Sequence, residues 1–487
     1  MKQSTTLFIT LMFIALGGTL ARVEAVPAFP GAEGFGADAQ GGRGGRVIEV
    51  TNLSDRGSGS LRDCVEAQGP RTCIFRVAGH ISVEQRIEVR NPYITIAGQT
   101  APGGGITLKI DSSNYQGPLV VMTHDVIIRY LRFRPGNGAF PPISGEGNTN
   151  IDAITIGNNE SSNQVYNVII DHCSFSWATD ENVNLWKDTR DLTLQWNIIS
   201  EALYCVKGNA ECLSKGLLIS SNGSKRISVH HNLLAHNVGR NPLIESSGIV
   251  DFVNNIMHVP RSVVGAVQDE YGSFDSNWVG NYVQASHELA YGLRKLGASS
   301  SCSTRYYLKD NINTVHKPSL SDPEDNFVLA RKNARNCIVT SRFSAASVTT
   351  TSPFQALNEV LDDAGAVLPA RDAIDKRVVN DVKNKVYRVI NDPLEVGGWL
   401  SVPSGMPVSD TDHDGMADNW ELTHFGTLAW GSASDSSSDF DGDGYTDLEE
   451  YLNGTNPADT NPNDNPPNGG GQPAGPLAPP TELTIAR

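Results

Sequence analysis

A β-rich run that keeps returning constrains this chain more than any other feature. VIIRYLRF (126–133) matches VIIDHCSF (168–175) position for position. LTLQWNIIS (192–200), ISVHHNLLAH (227–236), VDFVNNIMH (250–258) and FDSNWVGNYV (274–283) follow. Their pivots are Cys173, Asn197, Asn232, Asn255 and Asn281, with steps of 24, 35, 23 and 26 residues. β-Branched residues alternate with polar ones, and Asn and Gly mark the corners. One such run cannot bury a face alone, whereas stacked runs bury a continuous core. The spacing therefore predicts an all-β fold, a parallel β-helix solenoid, with uneven steps where loops of different length are inserted. Stacking also explains the Asn column, because side-chain amides at equivalent positions can hydrogen-bond along the stack. The alternative is a β-sandwich, but that requires strands every ~8–12 residues joined by hairpin turns, and Asn-Gly turns are scarce.

Composition narrows the function. A chain of 487 residues suggests about three domains at ~150 residues each, an estimate that repeats override. The 39% hydrophobic content is too high for a disordered chain, and a net charge of −16 argues against a general nucleic-acid binder. Residues 405–487 hold 15 acidic residues and one basic, Arg487, so the acidity belongs to the tail and the body is nearly neutral. Residues 1–25 read as a secretory signal: Lys2, a short apolar run, and Val23-Glu24-Ala25 as the cleavage site. A membrane anchor is the alternative, for which the apolar run is short. The expectation is a secreted protein, so disulfides are allowed. Cys64 with Cys73 and Cys205 with Cys212 can clip single loops, Cys302 with Cys337 is a third pair, and Cys173 reads as a buried free thiol. SPFQALNEVLDDAG reads as a helix over 353–363, capped by Ser352 and ended by Gly365, and suited to covering an open solenoid end.

The domains follow as 1–25 signal, 26–400 β-helix, 401–460 an Asp-rich segment, and 461–487 a Pro/Gly/Asn-rich linker or tail. Within the Asp-rich segment, DTDHDGMADNWE places Asp410, Asp412, Asp414, Asp418 and Glu421 at positions 1, 3, 5, 9 and 12, with Gly415 at position 6. DFDGDGYTDLEE repeats this with Asp439, Asp441, Asp443, Asp447 and Glu450 around Gly444. Alternate carboxylates converging on one hard cation, with Gly at the sharp turn, make an EF-hand-type Ca²⁺ loop. The loops resemble the calcium repeats of dockerins and thrombospondin type 3 modules. A solvated acidic linker is the alternative. Their role reads as stiffening or attachment to a cell-surface or scaffold partner, placed away from the cleft.

The body resembles pectate lyases of polysaccharide lyase family 1. The resemblance is carried by AFPGAEGFGA (28–37), GGRGG (41–45), GSLRD (59–63), PYITIAGQTAPG (92–103), VIIRYLRFRPG (126–136), DAITI (152–156), DHCSFSW (171–177), HHNLLAHNVGRNP (230–242) and NDPLEVGGW (391–399). It implies a right-handed parallel β-helix and Ca²⁺-dependent β-elimination on pectate (polygalacturonate) by a monomer. Cleavage removes the C5 proton beside a carboxylate, and a bound Ca²⁺ can neutralise that carboxylate. Such a site needs acidic residues for the ion and basic residues facing the sugar.

The resemblance assigns the ion to Asp152, Asp180 and Asn184. Asn184 departs from the more usual Asp, which weakens the site's charge, and Glu181 is the candidate to compensate. Asp152 and Asp180 also suit turn-capping at solenoid corners. Arg240 matches the family's catalytic arginine, although residue physics alone suggests a carboxylate clamp, since arginine stays charged in proteins. Lys215 matches a substrate-binding lysine. Five residues after Arg240 the family has a second arginine, and here Glu245 stands instead, which shifts the preference toward partly esterified pectin. Arg261, Lys207 and Lys187 are candidates to compensate. In His230-His231, strand alternation predicts one ring outward and one structural. Trp177, Trp186 and Trp196 can stack on sugars or fill the core, and the core is the favoured reading. The competing functions are a lyase on esterified pectin or another uronate polymer, a hydrolase, which needs a carboxylate pair not evident here, and a non-catalytic calcium-dependent polysaccharide binder.

Overall fold

The computed structural model describes residues 26–110, 116–137, 151–157, 165–187, 189–206, 211–261, 263–296, 302–330 and 333–460. The proposed signal, Lys207 and the 461–487 tail lie outside the described residues. Every pairing between named strands is parallel, and the strands stack in three ladders. One ladder runs from Arg46–Val50 through Val126–Arg129, Val168–Asp171 and Leu192–Gln195 to Thr304–Lys309. A second runs from Ile87–Val89 through Ile154–Ile156 and Glu181–Leu185 to Tyr291–Lys295. The third has nine strands, from Gly79–Val83 to Ile312–Asn313. Inward Val, Ile, Leu and Phe from all three form one continuous core. The fold is a parallel β-helix.

Each recurring run consists of two strands joined at a corner. The corner residue has a left-handed backbone: Tyr130, His172, Trp196, His231 and Asn254 have φ between 49° and 57°. For a residue with a Cβ this conformation costs roughly 1–2 kcal/mol, and hydrogen bonding by the next residue offsets the cost. The Asn after the corner accepts the backbone N–H of its counterpart one coil earlier: Asn197 from Cys173 at 2.8 Å, Asn232 from Asn197 at 2.9 Å, Asn255 from Asn232 at 3.1 Å. Asn281 and Asn311 continue the column. The corner rings stack as well, with Tyr130 on His172, His172 on Trp196, and Trp196 on His231.

This corner corrects the reading of His230-His231. The strand ends at His230 and the chain turns at His231, so alternation no longer applies. Both rings are buried, with their Nδ1 atoms 3.0 Å apart. Burial pushes His230 down to about 4, and His231 also falls, through burial and the adjacent His230.

The expected helix spans Pro353–Asp363, capped by Ser352. It does not cover an open end. With Ala373–Lys383 it packs its apolar face on Ile198, Leu233 and Ile256, the outward residues of the third ladder. The helix Leu61–Glu66, pinned by the Cys64–Cys73 disulfide, packs beside the first strands instead. Cys205–Cys212 and Cys302–Cys337 are bonded too, and Cys173 is free and buried. Among the described residues no helix is long and apolar enough to cross a membrane.

The Asp-rich segment packs onto the body. Each acidic loop leads into a short helix, Asp418–His424 and Asp447–Asn453. Met416, Trp420, Leu448, Tyr451 and Leu452 form one cluster with Val47, Ile74 and Ala97, outward residues of the first ladder. Arg129 donates to Asn453 at 2.6 Å, and Arg43 pairs with Glu449 at 2.9 Å. Further along the same ladder Ala28, Phe29, Ala32 and Ala39 cover the outward Ile127 and Ile169, so both faces of VIIR and VIID are buried and they read as uninterrupted apolar runs.

Candidate active site

The second ladder keeps an open outer face, and a cleft of about 780 Å³ lies along it. Parallel in-register stacking builds the site, because equivalent coil positions fall into columns. Ile154 pairs with Val183, and Glu181 pairs with Lys215, so Asp152, Glu181 and Lys215 share one column. Lys215 in turn bridges to Gly239, which brings Arg240 beside it. This close approach needs Gly216, where a Cβ would stand 2.8 Å from the Arg240 carbonyl oxygen. Thr155, Asn184 and Leu218 form the adjoining column and face the cleft.

The charges are tightly interlocked. Carboxylate oxygens of Asp152, Asp180 and Glu181 lie within 4.8 Å of one another. Asp152 accepts from the Glu181 N–H at 3.2 Å, and from Thr155 Oγ1 and Asn184 Nδ2 at 2.8 Å each. Lys215 pairs with Asp180 and, at 3.5 Å, with Glu181. Arg240 pairs with Glu181. Burial, reinforced by Asp180, pushes Asp152 up to about 6. Burial raises Glu181 strongly, with Asp180 and Asp152 adding and Arg240 and Lys215 opposing. Such crowding is unfavourable unless a cation shares it. Asn184 Oδ1 is buried without a protein partner, a spare oxygen beside three carboxylates. This donor set fits a hard divalent ion.

Two curated fungal proteins named probable pectate lyase C match most of the chain. The one from Neosartorya fischeri is 33% identical over 451 residues, covering 92% of this chain and 98% of that protein. The one from Aspergillus flavus is 33% identical over 442 residues, covering 89% and 95%. The chain belongs to the pectate lyase family. As a member of it, this protein is an enzyme, a lyase. No family model matches the sequence. Among solved structures, pectate lyase II from Xanthomonas campestris is 18% identical with a TM-score of 0.43, covering 70% of this chain and 99% of that one.

In this family member Asp152, Asp180, Asn184, Lys215 and Arg240 all line one cleft, and Glu245 lines it too, accepting from Ser220 at 2.9 Å. Trp186, expected in the core, lines the cleft instead: its N–H still bonds Ile156 in the ladder at 2.8 Å, and alternation sets it on the same face as Asn184, with Leu185 inward between them. Trp177 is fully buried. Arg86, Glu88, Arg90 and Tyr271 were not legible as lining residues, since they come from coils more than 60 residues away from Asp152 or Arg240 or sit on inserted loops. Arg90 pairs with Glu88 at 2.7 Å. Arg261 stacks over Tyr204 and Lys187 over Trp186, and neither stands in for the missing arginine.

The two tail loops hold a different kind of cluster. Asp410, Asp412 and Asp414 gather oxygens within 4.8 Å, as do Asp439, Asp441 and Asp443. Glu421 and Glu450 are buried at the loop ends. One oxygen each of Asp410, Asp412, Asp414, Glu421, Asp441 and Glu450 is buried without a partner. Burial pushes Asp414 and Glu450 up to about 8 and Glu421 to about 6. Asp418 and Asp447 are turned back to close the loops. Asp418 accepts from the Thr411 N–H at 2.8 Å, and Asp447 from Phe440 N and Trp430 Nε1 at 3.0 and 2.8 Å.

Proposed function

We propose that the protein is a secreted, calcium-dependent lyase that cleaves polygalacturonate by β-elimination in this cleft. One observation carries the reading: three clustered carboxylates and two cations share one open face of the solenoid. Asp152 and Asp180, with the Asn184 carbonyl, would hold Ca²⁺. Bound there, the ion neutralises the uronate carboxylate and so makes the C5 proton removable. Lys215 pairs with a substrate carboxylate and fixes the ring in register. Arg240 would take the C5 proton, a C4–C5 double bond forming as the C4–O4 bond breaks and the departing oxygen taking a proton from water. Arginine accepts a proton only as a rare neutral species, so the rate should climb into the alkaline range. The loops at 410–421 and 439–450 would hold further Ca²⁺ ions, supported by their orphaned oxygens, and there the ion has a structural role. The apolar leader and three disulfides support export. Glu245 in the cleft favours a second substrate, partly esterified pectin, because a carboxylate there repels a uronate and tolerates an ester.

The test follows absorbance of the unsaturated product on polygalacturonate and on esterified pectin at alkaline pH, with Ca²⁺ or with chelator. A calcium-dependent rise that disappears in Arg240→Ala is expected. No rise on either substrate overturns the reading.

A further inference from the structure

Glu181 occupies a place that neither metal binding nor fold explains alone. Val183 and Leu185 of its strand point into the core, and period two would send Glu181 there as well. The corner before the strand brings its carboxylate to the cleft instead, where it is 2% exposed. It lies beside the other two acids and both cations: Arg240 pairs with it, and Lys215, paired more closely with Asp180, stands 3.5 Å away. Its oxygens group with those of Asp152 and Asp180, while Arg240 and Lys215 both reach it. Its backbone N–H also supports Asp152 at 3.2 Å. A buried carboxylate must be shared by a cation, and two kinds of cation compete for this one.

We propose that Glu181 is a latch: it is the third acidic ligand of the cleft ion and, when the ion is absent, the counter-ion that holds Arg240 and Lys215 against the metal site. This rests on the reading of the cleft as a calcium-dependent lyase site. Ion binding draws the Glu181 and Asp180 carboxylates inward and releases the two side chains toward the substrate. Arg240 is 28% and Lys215 18% exposed, so both have solvent to move into. The latch also answers the Asn184 departure, since Glu181 restores the negative charge that Asn184 lacks. The apparent affinity of the site is then reduced by the fraction of molecules in which the cations occupy the acids.

Calorimetric Ca²⁺ titration of the full chain tests the latch, with Asp152→Asn identifying the cleft transition apart from the tail loops. Removing the competing cation in Arg240→Ala should tighten cleft binding by about fivefold or more, the usual scale of coupled sites. Glu181→Gln should weaken it by about tenfold and abolish the gain from Arg240→Ala in the double variant. Should Glu181→Gln fail to fold, judged by its melting curve, Glu181→Asp replaces it, and its shorter carboxylate should weaken cleft binding and reduce the gain from Arg240→Ala together. The latch is overturned if Arg240→Ala leaves cleft affinity within about twofold of wild type, or if its gain persists without Glu181. Polygalacturonate cleavage by wild type, run alongside, separates the two ideas. Cleavage without coupling sinks the latch and spares the function, whereas coupling without cleavage supports the latch as an ion switch and sinks the function.

Discussion

The molecule carries two kinds of acidic cluster, and they are neutralised differently. In the cleft, Asp180 and Glu181 are met by Lys215 and Arg240, long side chains that can swing away. In the tail, the loop carboxylates are met mainly by backbone N–H groups of the same loop, such as Gly415 and Met416 on Asp410 and Asp414, and Gly442 and Gly444 on Asp439. The nearest cation to Asp410 is Arg76, at 3.6 Å. A backbone N–H offers a partial charge and cannot leave. On the proposed reading, the tail loops are shaped in advance for an ion, and the cleft is shaped for an ion that competes with its own cations. Position follows the same logic: the tail clusters sit over the apolar strip of Val47, Ile74 and Ala97, while the cleft cluster sits on the open ladder.

The largest expected effect separates chemistry from scaffold. Arg240→Ala should lower the rate on polygalacturonate by about 10³-fold, with a melting temperature unchanged at saturating Ca²⁺, where the ion in place of Arg240 neutralises Glu181. Glu450→Gln should do the reverse, costing stability and leaving the turnover at saturating Ca²⁺ intact. If both variants lose activity equally, the two clusters are not independent and the comparison breaks.

Chelation comes next. Each loop at a hundredfold excess of Ca²⁺ over its dissociation constant contributes about 2.7 kcal/mol. Chelator should therefore open residues 405–460 to limited proteolysis, with a change in Trp420 and Trp430 fluorescence, before the solenoid melts. Trp420→Ala should mimic chelation with a loss of about 3 kcal/mol.

Acid affects both clusters, so the contribution of the buried histidines has to be isolated. Burial holds His230 near 4 and His236 near 3 in the fold, below the ~6.5 of an unfolded chain. The native state then binds fewer protons than the unfolded one, so this stability is complete above about pH 6.5 and is lost as pH falls toward 4. The stability difference between wild type and His230→Gln should shrink by about 3 kcal/mol between those limits in denaturant titrations. A constant difference would show that His230 is not the acid-sensitive group.

The smallest effect sharpens the cleft itself. Glu245→Arg should shift the kcat/KM ratio of polygalacturonate to esterified pectin upward by about tenfold, roughly 1.4 kcal/mol. No shift would remove Glu245 from substrate selection.

Much of this is legible in the chain. The helix at 353–363, the Cys64–Cys73 and Cys205–Cys212 disulfides and the alternating aspartates are patterns within one segment, where spacing is geometry, while the Asn column shows as a repeat between coils and Cys302–Cys337 joins two coils. The resemblance places Asp152, Asp180, Asn184, Lys215 and Arg240 in one site, and in-register stacking explains why Asp152 meets Asn184 and Asp180 meets Lys215, 32 and 35 residues apart. The departures have opposite causes. Strand alternation fails at His231 because the strand has already ended, whereas the core reading fails at Trp186 because alternation still holds there, with Leu185 inward and Trp186 on the cleft face. The helix at 353–363 suits an open end because its apolar face has no visible partner in the chain, and Ile198, Leu233 and Ile256 supply one.

By itself, the sequence determined the repeat, the amide column and the spacing of the acidic loops, because each is set by residue type at recurring positions, while the type of chemistry came from the family resemblance. Tertiary structure alone decided which ladder stays open, that the acidic tail packs over the first strands, and that Glu181 stands between the ion site and Arg240. These depend on how coils of unequal length come into register, and a side chain's partner in the next coil is chosen by that register and not by its distance along the chain.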